Sequence, residues 1–335
     1  MSQSIRAGAI AAFSVLLALA TAPGATDAPD EWQDPAVSGR NREPAHATML
    51  PYATVEQALE GTREASPFHL SLNTGAPGGR GWKFHYVAKP ADRPREFHRA
   101  DFDDRAWAEI KVPSNWQLQG YDKPIYLNTR YPWAPENPQP PTIPPDYNPV
   151  GSYRTTFEAP AAWAGRRVFL HFAGVNSAFH LWVNGRWVGY SEDSMTAAEF
   201  DVTPFLKAGE NLLAAQVFRW SDGSYLEDQD TWRLSGIYRD VFLYSTPALR
   251  ISDFAVRTDL DEAYRDATLL VRPRLRSHDG ATAEGFTVEA QLFDADRRPV
   301  LARPLARDAK AILDEKYPQR DTNPFGLLEA KVKAP

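Results

Sequence analysis

From Phe68 onward the chain alternates apolar and polar positions with a period of two, the signature of half-buried strands. His69-Leu70-Ser71-Leu72-Asn73 alternates, a Gly-rich turn over Thr74–Arg80 follows, and Trp82–Val87 alternates again. The same pattern predicts strands over Ser152–Phe157, Arg166–Phe172, Ala178–Val183, Arg186–Tyr190, Asn211–Phe218 and Tyr238–Tyr244. Asn184-Gly185 joins two of them and is a strong hairpin signal, because a type I′ turn needs positive φ at both positions. Asp201–Leu206 reads as a short helical turn capped by Asp201 or Thr203 and stopped by Gly209. Many short strands with almost no helical period predict an all-β protein built as antiparallel sandwiches.

Proline modifies this picture in two places. Pro113–Pro149 cannot be continuous sheet, because proline removes ladder donors. It is a long loop, either ordered or disordered, and Trp116, Tyr121, Tyr126, Tyr131, Trp133 and Tyr147 favour order. Pro247 marks a boundary. Beyond it, Ile251–Thr258, Thr268–Arg276 and Thr287–Phe293 read as strands of a smaller sandwich, and Ala306–Lys316 has a weak helical tendency. A seven-stranded sandwich takes about 100 residues, so this second unit is expected to be incomplete within the chain.

Residues 26–66 are polar and irregular, with a short helix possible over Thr54–Arg63. They read as an extended arm or a segment docked on another surface, with a disordered linker as the competing reading. Residues 1–25 read as a signal peptide: Arg6, an apolar run over Ala7–Ala22, and a small-x-small site at Ala18-Leu19-Ala20. The run is too short for a comfortable membrane span. The expectation is an exported protein, periplasmic or secreted, with no membrane contact after cleavage.

Composition narrows the chemistry. The length of 335 residues accommodates two domains, and a net charge of −6 disfavours a nucleic-acid partner. The absence of cysteine excludes disulfides, thiol nucleophiles and Cys-based metal sites. No His-Glu-x-x-His and no Gly-x-Ser-x-Gly occurs. His85, His98, His171 and His180 lack metal-ligand spacing, and the last two fall in strands as satisfied core or edge residues.

One segment breaks every period. Phe218–Arg233 packs four acids, two Trp and two Arg into a stretch that is neither strand nor helix. Acids beside large aromatics need partners, because buried charge is costly. The expectation is a loop folded over its own aromatics that presents carboxylates in fixed positions. Glu227, Asp228 and Asp230 are assigned structural salt bridges to Arg219, Arg233 or Arg239 rather than catalysis, since nothing supplies a split pair of carboxyl pKa values. Trp182 and Trp187 are assigned to core packing. Trp220 and Trp232 are assigned to loop packing ahead of sugar stacking.

The order of these rare residues resembles a known family. Val112-Pro113-Ser114-Asn115-Trp116-Gln117, Tyr121-Asp122, Pro124-Ile125-Tyr126-Leu127-Asn128, Tyr131-Pro132, Gly174–Gly185 and Trp220–Asp240 are similar to the N-terminal region of β-galactosidases of glycoside hydrolase family 2. The resemblance implies a jelly-roll sugar-binding domain over 67–247 and the start of an immunoglobulin-like sandwich over 248–335. It implies that the complete enzyme hydrolyses terminal β-D-galactosyl bonds, as in lactose, with retention, and is a homo-oligomer. Its two catalytic glutamates, about 5–5.5 Å apart in a retaining enzyme, and its magnesium site belong to a TIM barrel. No motif here matches that pair, so this chain is expected to be an N-terminal fragment, inactive alone and without a cofactor of its own.

By the same resemblance Asn128 reaches into the galactose pocket, where an amide offers a donor and an acceptor to hydroxyls. Asp222 contacts the galactosyl group and helps hold a sodium ion, a hard cation that takes oxygen ligands. Read without the resemblance, Asn128 is a loop residue satisfying backbone and Asp222 a turn residue before Gly223. Two other functions stay open: a free-standing galactoside-binding module, and a subunit complementing a separate barrel chain. The Thr74–Arg80 turn departs from the family pattern and has no functional account.

Overall fold

The computed structural model describes residues 30–134, 136–314 and 328–333. The expected leader over 1–25 lies outside them, as do Glu315 and Lys316 of the helical tendency. Among the described residues no helix is long and apolar enough to cross a membrane.

Two antiparallel sheets face each other. One has seven strands in the order Gly39–Arg40, Arg186–Ser191, Ala178–Val183, Glu210–Phe218, Val150–Glu158, Trp82–Val87 and Ala108–Ile110. The other has four, in the order Ala198–Asp201, Arg167–Phe172, Val241–Thr246 and His69–Ser71. Alternate positions of each sheet point inward. Phe84, Tyr153, Leu181, Leu213 and Val217 of the first meet Leu170, Phe172, Phe200 and Leu243 of the second in one buried cluster. This is the antiparallel sandwich that the period-two pattern predicts. Asn184 and Gly185 have φ of 52° and 78°, as the type I′ turn requires.

From residue 30 onward the arm is docked on the sandwich. Gly39–Arg40 extends the seven-stranded sheet by pairing with Tyr190 and Ser191. A glycine makes this possible: a Cβ on Gly189 would stand 2.4 Å from the Arg40 carbonyl oxygen. Trp32 is buried and stacks on Phe218 with centroids 5.5 Å apart. The arm's helix spans Val55–Glu60, with Thr54 as N-cap and Gly61 in the left-handed conformation at its end. The Pro-rich stretch is ordered as well, with Trp116, Trp133 and Ile143 buried.

Local expectations shift in several places. The turn after Asp201 is a 3₁₀ turn over Thr203–Phe205 and ends at Leu206. Asp201 Oδ1 accepts from Thr203 N at 3.0 Å, while Gly209, at φ 74°, turns the chain into the next strand. In the second unit Leu249–Leu260, Ala267–Ser277 and Leu328–Val332 form an antiparallel sheet. Thr287–Ala290 is shorter than the sequence suggested, and it pairs with Leu305–Asp308. That pairing takes the residues where a helix was expected to begin. The helix is confined to Ala309–Leu313, capped by Asp308, whose Oδ1 accepts from Ala311 N at 2.9 Å. The Thr74–Arg80 turn is pinned by Arg80, which pairs with Glu158 at 2.8 Å and with Glu210.

Phe200 has no exposure and Val256 is 56% exposed. Phe200→Ala is expected to lose about 3–5 kcal/mol of stability in urea unfolding, and Val256→Ala no more than about 0.5 kcal/mol.

Candidate functional site

The candidate site grows from three segments. Ile125–Leu127 pairs with Thr231–Arg233 as a two-stranded ribbon outside the main sheets. Their side-chain pair Tyr126 and Trp232 is exposed, with centroids 5.6 Å apart, and Tyr126 Oη donates to Asp230 Oδ1 at 2.6 Å. Asn128 follows this ribbon directly, in an exposed bend. Asp222 opens the 3₁₀ turn Asp222–Tyr225. A reciprocal cap builds that turn: the Ser221 side chain accepts from Ser224 N, and Ser224 Oγ accepts from Ser221 N at 3.0 Å.

The loop does fold over its aromatics. Trp220 packs on Trp133 with centroids 4.7 Å apart, and Tyr225 packs on both Tyr131 and Trp133. Asn148, fully buried, clamps the Trp220 backbone: its Nδ2 donates to the Trp220 carbonyl, and its Oδ1 accepts from Trp220 N, both at 2.9 Å. Beneath them lies Arg219, with no exposure. It donates to Asp122, to Tyr147 Oη at 3.2 Å, and to the carbonyls of Lys123 at 3.2 Å and Arg233 at 3.1 Å.

The acids are placed differently from the expectation. Only Asp228 meets an arginine of the predicted set, Arg233. Arg219 takes Asp122 from the Pro-rich stretch, because a buried guanidinium needs several acceptors and Glu227 and Asp228 are already engaged by Ser194 and Arg233. Glu227 instead accepts from Ser194 N at 2.7 Å and Ser194 Oγ at 2.5 Å, and burial raises its pKa. Arg239 donates to the Met195 carbonyl at 2.9 Å.

Asp222 is buried, and its Oδ1 meets no hydrogen-bond partner among the described residues. It touches Glu192, a buried acid that sequence reasoning missed. Burial pushes Asp222 above the ordinary carboxyl range. Burial, with repulsion from Asp222 and Glu227 adding to it, pushes Glu192 up to about 8. Tyr190 Oη donates to Glu192. Nothing in the linear sequence singled out Glu192, since an acid just after a strand reads as a solvated one.

A cavity of about 310 Å³ opens between Trp133, Trp220, Trp232, Tyr238, Asn176 and Glu227. Neither Asn128 nor Asp222 lines it, although Ser224 of the Asp222 turn does. Trp232 therefore faces open space, while Trp182 and Trp220 are buried as packing residues and Trp187 is half-buried. Among the described residues no group of three or more His, Asp or Glu side chains could hold a metal ion. The unpartnered Asp222 Oδ1 suits a single ligand position for a cation, and nothing beside it completes a set.

Residues 78–247 match the family model described as "Glycosyl hydrolases family 2, sugar binding domain". The chain belongs to glycosyl hydrolase family 2. It is 47% identical over 277 residues to a β-galactosidase of Priestia megaterium, covering 82% of this chain and 26% of that protein. It is 44% identical over 300 residues to a β-galactosidase of Vibrio cholerae, covering 89% of this chain and 27% of that protein. The chain thus spans about a quarter of the length of these curated relatives. Its fold is similar to that of a Bifidobacterium dentium β-glucuronidase solved with coumarin-3-O-glucuronide, at a TM-score of 0.56 and 18% identity, covering 86% of this chain and 44% of that one. A β-glycosidase from Bacteroides vulgatus gives a TM-score of 0.55 and 21% identity, covering 80% and 29%. The matched family domain contains Asn128, Asp222, Arg219 and every lining residue of the cavity named above.

Removing the buried cation tests how far the site depends on it. Arg219→Ala strands the Asp122 carboxylate and is expected to cost about 3–5 kcal/mol in urea unfolding. A loss below about 1 kcal/mol, the scale of a solvated surface pair, would mean that water reaches it.

Proposed function

We propose that this chain is the N-terminal, sugar-binding portion of an exported β-galactosidase. The observation that carries this reading is the likeness, at 43–47% identity, to proteins named β-galactosidase. In this reading the complete enzyme cleaves terminal β-D-galactosyl residues with retention, in the breakdown of lactose and related sugars. Two glutamates of a barrel domain act as nucleophile and acid/base. The jelly roll contributes recognition. Asn128, exposed at the end of its ribbon, offers an amide donor and acceptor to galactose hydroxyls. Asp222 offers a carboxylate oxygen that no protein donor occupies.

Sodium, bound with ligands from outside these residues, would fix the orientation of that carboxylate and of a substrate hydroxyl. Magnesium would be held by the barrel. The apolar run over Ala7–Ala22 behind Arg6 supports export to the periplasm or medium. A homo-oligomeric complete enzyme is part of the same reading.

The test uses the full-length enzyme and a chromogenic β-galactoside. Asn128→Ala and Asp222→Ala are each expected to lower kcat/KM by about tenfold or more, or roughly 1.4 kcal/mol of transition-state stabilisation, while the purified chain alone gives no turnover. Unchanged kcat/KM in both variants would remove the jelly roll from substrate recognition. Saturable galactose binding by the chain alone would favour an independent binding module.

A further inference from the structure

The N-terminal arm crosses the junction of the two sandwiches over a buried carboxylate. Glu199 sits on the strand Ala198–Asp201 and is 6% exposed. Its Oε1 accepts from His46 Nε2 and from His171 Nδ1, each at 2.9 Å. Its Oε2 accepts from Tyr244 Oη. His171 and Tyr244 belong to the four-stranded sheet, whereas His46 belongs to the arm.

The second nitrogen of His46, Nδ1, lies 2.7 Å from the carbonyl oxygen of Ala47. Both partners of the His46 ring are acceptors only. Both ring nitrogens must therefore donate, and a ring that donates twice is an imidazolium. The charge pattern agrees. The Glu199 hydrogen bond, the largest influence, holds the His46 pKa above the ordinary histidine value, against burial and the Arg250 charge. Burial acts to raise Glu199, but the hydrogen bonds and charges of His171 and His46 together hold it down at about 2.

The surroundings bind the same segment. Glu43 N donates to the Glu199 carbonyl at 2.8 Å, and the Glu43 carboxylate pairs with Arg250 at 3.2 Å and with Arg276. Ala47 N donates to Asp253 Oδ1 at 2.9 Å. Arg250, Asp253 and Arg276 belong to the second unit. With Arg274, Glu43 and His46 they line a cavity of about 200 Å³ at the junction.

We propose that His46 and Glu199 form a proton-operated latch that holds the arm across both sandwiches and lets residues 43–48 go when the ring loses its proton. Deprotonation sets a nitrogen lone pair against an acceptor, either Glu199 Oε1 or the Ala47 carbonyl, and takes one counter-charge from a buried carboxylate. The anchors upstream do not titrate: Trp32 stays on Phe218, and Gly39–Arg40 keep their strand pairing. Release is therefore local. A histidine whose folded pKa is raised contributes stability that is fully present below about 6.5, its unfolded value, and lost as pH rises through the folded value. A glutamate depressed to about 2 contributes stability that is present above its unfolded value of about 4.3 and lost only as pH falls toward 2. The latch is closed between those limits and opens on the alkaline side.

Two measurements on the full chain test this. Imidazole nitrogen NMR reads the protonation of His46 directly, and hydrogen exchange of peptides covering 41–50, corrected for intrinsic rates, reads the arm. His46 is expected to titrate above about 6.5. Protection of the arm is expected to fall by about tenfold or more between pH 6 and pH 9, the direction set by a raised histidine pKa. In His46→Gln protection should be the same at both pH values, with exchange in Leu213–Val217 unchanged as evidence of an intact sandwich. The proposal is overturned if His46 titrates at or below its ordinary value, if arm exchange is the same at both pH values, or if the pH dependence persists in His46→Gln.

Discussion

The candidate site depends on one guanidinium that water does not reach. Arg219 is fully buried at the end of the strand Glu210–Phe218. Desolvating such a charge costs several kcal/mol unless the site returns it through geometry and hydrogen bonds. Here the return comes from Asp122, Tyr147 and the Lys123 carbonyl on the Pro-rich stretch, and from the Arg233 carbonyl on the acidic loop. The indole of Trp220, 4.7 Å from the guanidinium carbon, adds a cation–π contact. Neither segment can leave without stranding the charge. A region too rich in proline for sheet is ordered because a buried cation needs its acceptors.

The same rule operates on the opposite side of the sandwich with the sign reversed. Glu199 is a buried anion, and its donors come from the arm and from the four-stranded sheet. Without cysteine, no covalent bridge closes the long connections of this protein. Buried apolar surface supplies the bulk of the stability, and a few buried charges decide which segments lie against which. The arm lies outside the matched family domain, which begins at residue 78, yet it completes one edge of that domain's larger sheet.

Membership of glycosyl hydrolase family 2 accounts for the sandwich and for the conspicuous order of its rare residues. The site is more divided than the motif suggests. Asp222 is buried beside Glu192, Asn128 stands out in solvent, and the aromatic cavity between the three tryptophans includes neither. An exposed Trp232 and Tyr126 leave that face apolar and open.

Strand positions, the Asn184-Gly185 turn and the two-sandwich plan were legible in the sequence, because strand periodicity and turn chemistry act over a few neighbouring residues. The burial of Trp220 and Tyr225 was legible too, since large aromatics beside acids seek cover, although Trp232 stays exposed. The pairing of those acids was not. Arg219 with Asp122, Glu227 with Ser194, Glu192 with Asp222 and His46 with Glu199 all join residues far apart in the chain. Which acid a buried cation finds depends on where strands and loops bring it, and any of several acids satisfies the same local pattern. Short-range pattern was enough for the class of fold and for the aromatics and acids of one loop. Which charges are buried together follows from the folded arrangement, because desolvation acts on neighbours in space and not on neighbours in the chain.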